Sequence, residues 1–227
     1  MTNIKLTYHK GTDISNRREA CNRKTQSSTW KKAMTDEIYN AIRGKERKDA
    51  SSIILEHIDK NYGTVDMEKY EMQLSLSLEK NKDVYIKKME TLTKQPFLYD
   101  EITCYLTTLA RCPYNREKGL IRLWYKAQDP VRVFLHEILH FQFHQRYRDN
   151  PKVKLLSKEQ FEDLKESLTF LLNIEFKEYI EFPDYGYPQH QELRKQLEDY
   201  RLSQPENERD FEKLIDYGCD LLSSGEK

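Results

Sequence analysis

The sequence predicts an α+β fold, mainly helical with a small mixed sheet. Three observations carry this expectation. Apolar residues recur at helical spacing through most of the 227-residue chain. β-Branched and aromatic residues cluster in short runs at 4–8, 101–109 and 120–125. A helix with few polar positions carries His136-Glu137-Ile138-Leu139-His140 near its middle.

Taken in order, Ile4, Leu6 and Tyr8 alternate with polar residues and form a short strand. Residues 11–26 are polar, with Arg17, Arg18, Arg23 and Lys24, and read as an irregular loop. Trp30, Met34, Ile38 and Ile42 mark a helix over 27–42, and Ile54 and Ile58 mark one over 50–62 that ends at Gly63. Ile86 and Met89 mark a third over 83–92. The strand runs 101–109 and 120–125 are separated by Pro113, Asn115 and Gly119, which predicts an antiparallel hairpin. Asp129-Pro130 supplies an N-cap and a first-turn proline, and Asp149-Asn150-Pro151 a stop, so the next helix runs from Pro130 to Tyr147. Ser157-Lys158-Glu159-Gln160 has the form of a capping box opening a helix over 161–172. After a turn-forming aromatic segment at 182–190 come a helix containing Arg194 and a last amphipathic one over 206–222, with Phe211, Leu214, Ile215 and Leu222. The expected division is an N-terminal strand and helical region, 1–95, and a region carrying the histidine helix, 96–227.

Two histidines four residues apart share one helix face. Here Val131, Val133, Phe134, Leu135, Ile138, Leu139, Phe141 and Phe143 surround them, and imidazole or carboxylate in such a buried setting is costly unless paired or metal-bound. Neutral imidazoles suit zinc, and the Glu137 carboxylate beside the first ligand suits a general base. A catalytic zinc takes three protein ligands and one open position. His144 lies two turns beyond His136, about 12 Å along a straight helix, with no glycine between to bend the chain, so its expected part is structural. Glu166, centred in the helix over 161–172 and opposite its apolar stripe, is the expected third ligand; Glu162, on the same side, is its rival.

His136, Glu137 and His140, followed downstream by Glu166-Ser167-Leu168-Thr169, resemble the gluzincin group of zincin metallopeptidases. The resemblance covers about residues 120–173. It implies a zincin-like fold in which two helices meet at zinc, the first giving two histidines and the general base Glu137, the second giving a glutamate followed by small residues. It implies peptide-bond hydrolysis, with an edge strand ahead of the metal helix pairing with the extended substrate. It also points to Tyr187 or His190 as donors to a developing oxyanion, with Arg194 nearby to orient them.

Lys+Arg and Asp+Glu both number 38, so no electrostatic bias toward nucleic acid or membrane exists. The absence of a signal-peptide core and of any apolar run of about 18 residues leads to the expectation of a cytoplasmic protein. Cys21, Cys104, Cys112 and Cys219 show no CxxC spacing and are expected as free thiols. The alternative to an enzyme is a zinc-stabilised regulatory or interaction module. A structural site would need a fourth protein ligand, for which His144, His190 and Glu162 are the candidates, and would have no use for Glu137.

Overall fold

The computed structural model describes residues 2–22, 36–147 and 149–224. They form an α+β chain, mostly helical, with one four-stranded mixed sheet. Two compact units interleave in sequence: Met1–Lys82 with Tyr99–Val133, and Asp83–Leu98 with Phe134–Lys227. The sequence put a boundary near residue 95. Strand pairing instead joins the segment after Tyr99 to the N-terminal unit, because β1 (Asn3–Tyr8) lies parallel to β2 (Glu101–Thr107).

In the first unit the sheet order is β1-β2-β4-β3, with β3 at Tyr114–Asn115 and β4 at Leu120–Trp124. Register aligns Ile4 with Ile102, Leu6 with Cys104 and Ile121, and Leu106 with Leu123. All are buried, so one face of the sheet is continuously apolar. The expected antiparallel hairpin between 101–109 and 120–125 is overturned: β2 and β4 pair in parallel. The interval between them is too long for a tight turn and lays its own β3 antiparallel on the far side of β4. A 3-10 turn at Arg116–Lys118 and Gly119 at φ +57 close that small hairpin; a Cβ on Gly119 would sit 2.9 Å from the Glu101 carbonyl oxygen. β4 is therefore not the free edge that the resemblance implied. Residues Tyr114 and Asn115 pair with it, and the Pro113 carbonyl accepts from Arg122 N at 3.0 Å.

The helices of this unit are α1 (Lys10–Asn22), α2 (Asp36–Ile42), α3 (Arg47–Tyr62) and α4 (Met67–Glu79). α1 corrects the loop expected at 11–26 over its described residues. Its inward face is polar, which defeats a reading by apolar periodicity. Asp13 accepts from Thr107 Oγ1 at 2.6 Å, Thr108 N at 3.1 Å and Thr108 Oγ1 at 2.7 Å. Asn16 donates to Thr107 Oγ1 and meets Arg111, and Arg17 donates to Thr108 Oγ1. Burial of these polar groups is tolerated because most of them satisfy one another, with Arg17 Nε left without a hydrogen bond. Helix 27–42 is described only as α2; its Trp30 and Met34 lie outside the described residues. α4 carries no signal noted in the sequence: Met67, Leu74 and Leu78 are buried, while Met72 and Leu76 are exposed.

The second unit contains α5 (Lys82–Thr93, save its first residue), the greater part of α6 (Pro130–Tyr147), α7 (Lys158–Ser167), α8 (Leu171–Glu175), α9 (Gln191–Ser203) and α10 (Phe211–Ser224). α6 has the bounds its caps predict, with Asp129 Oδ1 accepting from Arg132 N at 2.9 Å. Along it Phe134, Leu135, Ile138, Leu139, Phe141, Phe143 and Tyr147 are buried. The capping box is present at Ser157 and Gln160. The helix it opens ends at Ser167, tightens to a 3-10 turn at Leu168–Phe170, and resumes as α8. None of the four cysteines, all among the described residues, is joined in a disulfide. Among the described residues no helix is long and apolar enough to cross a membrane.

Candidate metal centre

α6 presents His136 and His140 one turn apart, their ring centroids 4.4 Å from each other. α7 presents Glu166 to both. Glu166 Oε2 lies 3.4 Å from His136 Nε2, and Glu166 Oε1 lies 3.4 Å from His140 Nε2. Their ligand-type atoms all fall within 4.8 Å of one another. Ser167 and Thr169, the small residues after the glutamate, are fully buried, so the chain behind Glu166 packs without bulk. Glu162 does not join the group; its carboxylate is 48% exposed and pairs with Lys165 Nζ at 2.6 Å. His144 packs its ring against Phe161 at 5.1 Å.

Glu137, beside the first histidine, is buried, and its Oε2 has no hydrogen bond; Glu166 Oε2 is likewise buried without one. Acceptors left in this condition cost about 1–3 kcal/mol or more when charged. They identify a place where a cation or a donor fits. Two imidazoles and a carboxylate are the donor set of a catalytic zinc site, and these residues fit that ion.

Asp184 is the contributor that sequence reading missed. Its Oδ2 lies 2.8 Å from His136 Nδ1, the ring nitrogen turned away from Glu166. This carboxylate fixes which nitrogen faces the group and raises the basicity of the ring. Asp184 is itself held on several sides. Thr169 Oγ1 donates to Oδ1 at 2.9 Å, Gly186 N donates to Oδ1 at 3.1 Å, and Asn173 brackets the backbone through both its N–H and its carbonyl. Arg194, buried on α9, donates to the Asp184 carbonyl, to Thr169 Oγ1 and to the Glu166 carbonyl, and pairs with Asp184 Oδ1 at 3.3 Å. One guanidinium thus ties the end of α7 that carries Glu166 to the loop that carries Asp184. The only signal in the sequence was an acid in a proline- and glycine-bounded aromatic loop, with no spacing to link it to His136.

Charges shift accordingly. Burial opposes a cation at His136, but Asp184 and Glu166 raise its imidazole to about 10. Burial lowers His140 to about 3, leaving it neutral. Burial also acts on Glu166 and Asp184, yet the neighbouring imidazoles hold Glu166 well below the usual carboxylate range, and His136 and Arg194 do the same for Asp184. Burial, with Glu166 and Asp184 adding to it, pushes the Glu137 carboxyl up to about 8 against the pull of His136 and Lys165. Lys165, itself buried, sets its ammonium 3.2 Å from Glu166 Oε1.

His190 is not one of the grouped ligands, and it and the other residues expected at the oxyanion make contacts of their own. His190 is buried with Nε2 3.0 Å from Asp163 Oδ1, and its Nδ1 has no hydrogen bond. Tyr187 is exposed, its ring edge-on to His190 at 5.7 Å. Arg194 faces the backbone of Asp184 and Glu166. Comparisons of the chain with protein-family models, with curated proteins and with solved structures find no match.

Proposed function

We propose that the chain is a zinc-dependent metallopeptidase of gluzincin type, built on a zincin-like fold. The observation that supports this reading is the convergence of His136, His140 and Glu166 beside the buried, hydrogen-bond-free oxygen of Glu137. His136, His140 and Glu166 would hold the ion, with Asp184 orienting His136 from behind. When bound, zinc supplies Lewis acidity to a water molecule and to a substrate carbonyl.

Glu137 has the chemistry of a general base. Its Oε2 accepts a proton from the attacking water and returns it to the leaving amine. Burial keeps competing water away from the carboxylate. Tyr187 and His190 are the proposed oxyanion donors in this reading. Substrates are peptides or proteins. The alternative, a zinc-stabilised regulatory module, requires a site that is closed by protein; among the described residues the group has three members.

Glu137→Gln tests the proposal, because it keeps the volume and removes the proton acceptor. Zinc content by elemental analysis stays near one per chain, while cleavage of an unbiased peptide library disappears. A wild type that holds zinc and cuts nothing removes general peptidase activity and leaves the regulatory reading.

A further inference from the structure

A cavity lies in the second unit away from the residues of the His136–His140–Glu166 group. α5, α8, α9 and the segment at Glu206–Arg209 line this cavity of about 570 Å³, within the size range of small-molecule sites. Arg201, on α9, forms part of its wall and is only 6% exposed. Its Nη2 meets Glu175 Oε1 at 2.5 Å, and Glu175 lines the same cavity. The rest of the guanidinium is unsatisfied: Nε and Nη1 are buried with no hydrogen-bond partner. A buried guanidinium cannot shed its charge, and donors left without acceptors cost about 1–3 kcal/mol or more. One carboxylate oxygen answers a third of its nitrogens.

The wall around Arg201 carries charges of both signs. Lys87, Lys88, Lys94 and Arg209 bring the total to five cations against the three carboxylates of Asp83, Glu175 and Glu206. Lys88 and Lys94 already meet Glu178 and Asp210, which leaves Lys87 and Arg209 as the cations nearest to being available. Val84, Leu92 and the lysine stems supply apolar surface. With Glu178 and Asp210 counted, five carboxylates balance the five cations, so the incompletely answered guanidinium of Arg201, and not a net charge, favours one oxyanion group over a polyanion. The apolar surface suits a body attached to it.

We propose that this cavity binds a small organic anion, a single carboxylate or phosphate on an apolar group, with Arg201 as the recognition residue and Lys87 and Arg209 as supporting cations. The anion would accept from the part of the Arg201 guanidinium that lines the cavity, a charge-assisted contact. This site shares no residue with the His136–His140–Glu166 group and does not depend on the peptidase reading.

The test uses the full chain and isothermal titration with three probes: inorganic phosphate, phenyl phosphate and benzoate. At least one aromatic probe should bind saturably at one site, and more tightly than inorganic phosphate. Preference for phenyl phosphate or benzoate tells which oxyanion the site takes. Arg201→Lys, which keeps a cation for Glu175 and removes the guanidinium donors, should weaken binding about tenfold or more. The Lys87→Ala/Arg209→Ala double variant, which leaves Arg201 in place, should weaken it about threefold or more, and circular-dichroism melting reports whether each variant is folded. Should Arg201→Lys not fold, the double variant decides alone. Failure of all three probes to bind the wild type at millimolar concentration overturns the proposal, as does binding that a folded Arg201→Lys or the double variant leaves unchanged.

Discussion

Asp184→Ala separates a metal centre from an ordinary buried ion-pair cluster. The substitution removes the acceptor 2.8 Å from His136 Nδ1 and leaves His136, His140 and Glu166 in place. Loss of a carboxylate behind a ligating histidine typically lowers metal affinity about 10–100-fold, which is about 1.4–2.7 kcal/mol. A stability cost adds to it. Asp184 and Arg194 are both about 5% exposed on their side chains, and breaking a buried pair on one side costs about 3–5 kcal/mol. Arg194 keeps two carbonyls and Thr169 Oγ1 as acceptors, so the cost falls at the lower end. Asp184→Asn controls for this, since its amide oxygen still accepts a hydrogen bond while the charge is gone. Zinc affinity is read by competition against a fluorescent chelator, and proton release by calorimetry in buffers of different ionisation enthalpy. Between about pH 7 and pH 10 the wild type releases the proton of His136 on binding, and Asp184→Ala releases less, because removing the carboxylate lowers the imidazole. A folded Asp184→Ala with wild-type zinc affinity and wild-type proton release refutes the assignment of Asp184 to the metal centre.

Glu166→Ala should lose most of its zinc by elemental analysis and Glu162→Ala should keep it; the reverse result would reassign the third ligand. Gly186→Ala should lower the melting temperature, because Gly186 has φ +61 and a Cβ there would lie 2.8 Å from Cδ, Nε and Cζ of Arg194. The strain and the displaced guanidinium together cost about 1–3 kcal/mol, or roughly 2–4 °C per kcal/mol for a chain of this size; an unchanged melt would mean that the loop yields freely. In the native protein Cys112, half-buried, should react first with iodoacetamide. Burial raises the Cys219 thiol to about 11 and Cys104 further still, so labelling of Cys219, followed by mass spectrometry from pH 7 to 10, should climb with pH as thiolate forms. Rapid labelling of Cys104 at pH 7 would contradict its burial.

The sequence by itself determined the elements whose signals are local. α6 ends where Asp129-Pro130 and the stop at 149–151 place its ends, and the capping box at Ser157 opens α7, since caps act within one turn of the residues that make them. His136, Glu137 and His140 were legible for the same reason: residues four apart on a helix must share a face. The choice of Glu166 over Glu162 was only half legible. Both lie on one side of α7, and what separates them is that Lys165 holds Glu162 at the surface while the α6 histidines receive Glu166. Tertiary structure alone decided the rest. Parallel pairing of β2 with β4 depends on where a long connection travels, which no dipeptide reports. α1 was hidden because its buried face is polar, and Asp13, Asn16 and Arg17 look like solvent-facing residues until Thr107, Thr108 and Arg111 arrive from a distant segment to satisfy them. Asp184 reaches His136, and Arg194 reaches both Asp184 and Glu166, across separations that carry no period. Helical periodicity records which side of an element faces inward; the partner that a buried charge meets there is fixed by packing between elements, where one guanidinium or carboxylate is matched to another at hydrogen-bond distance.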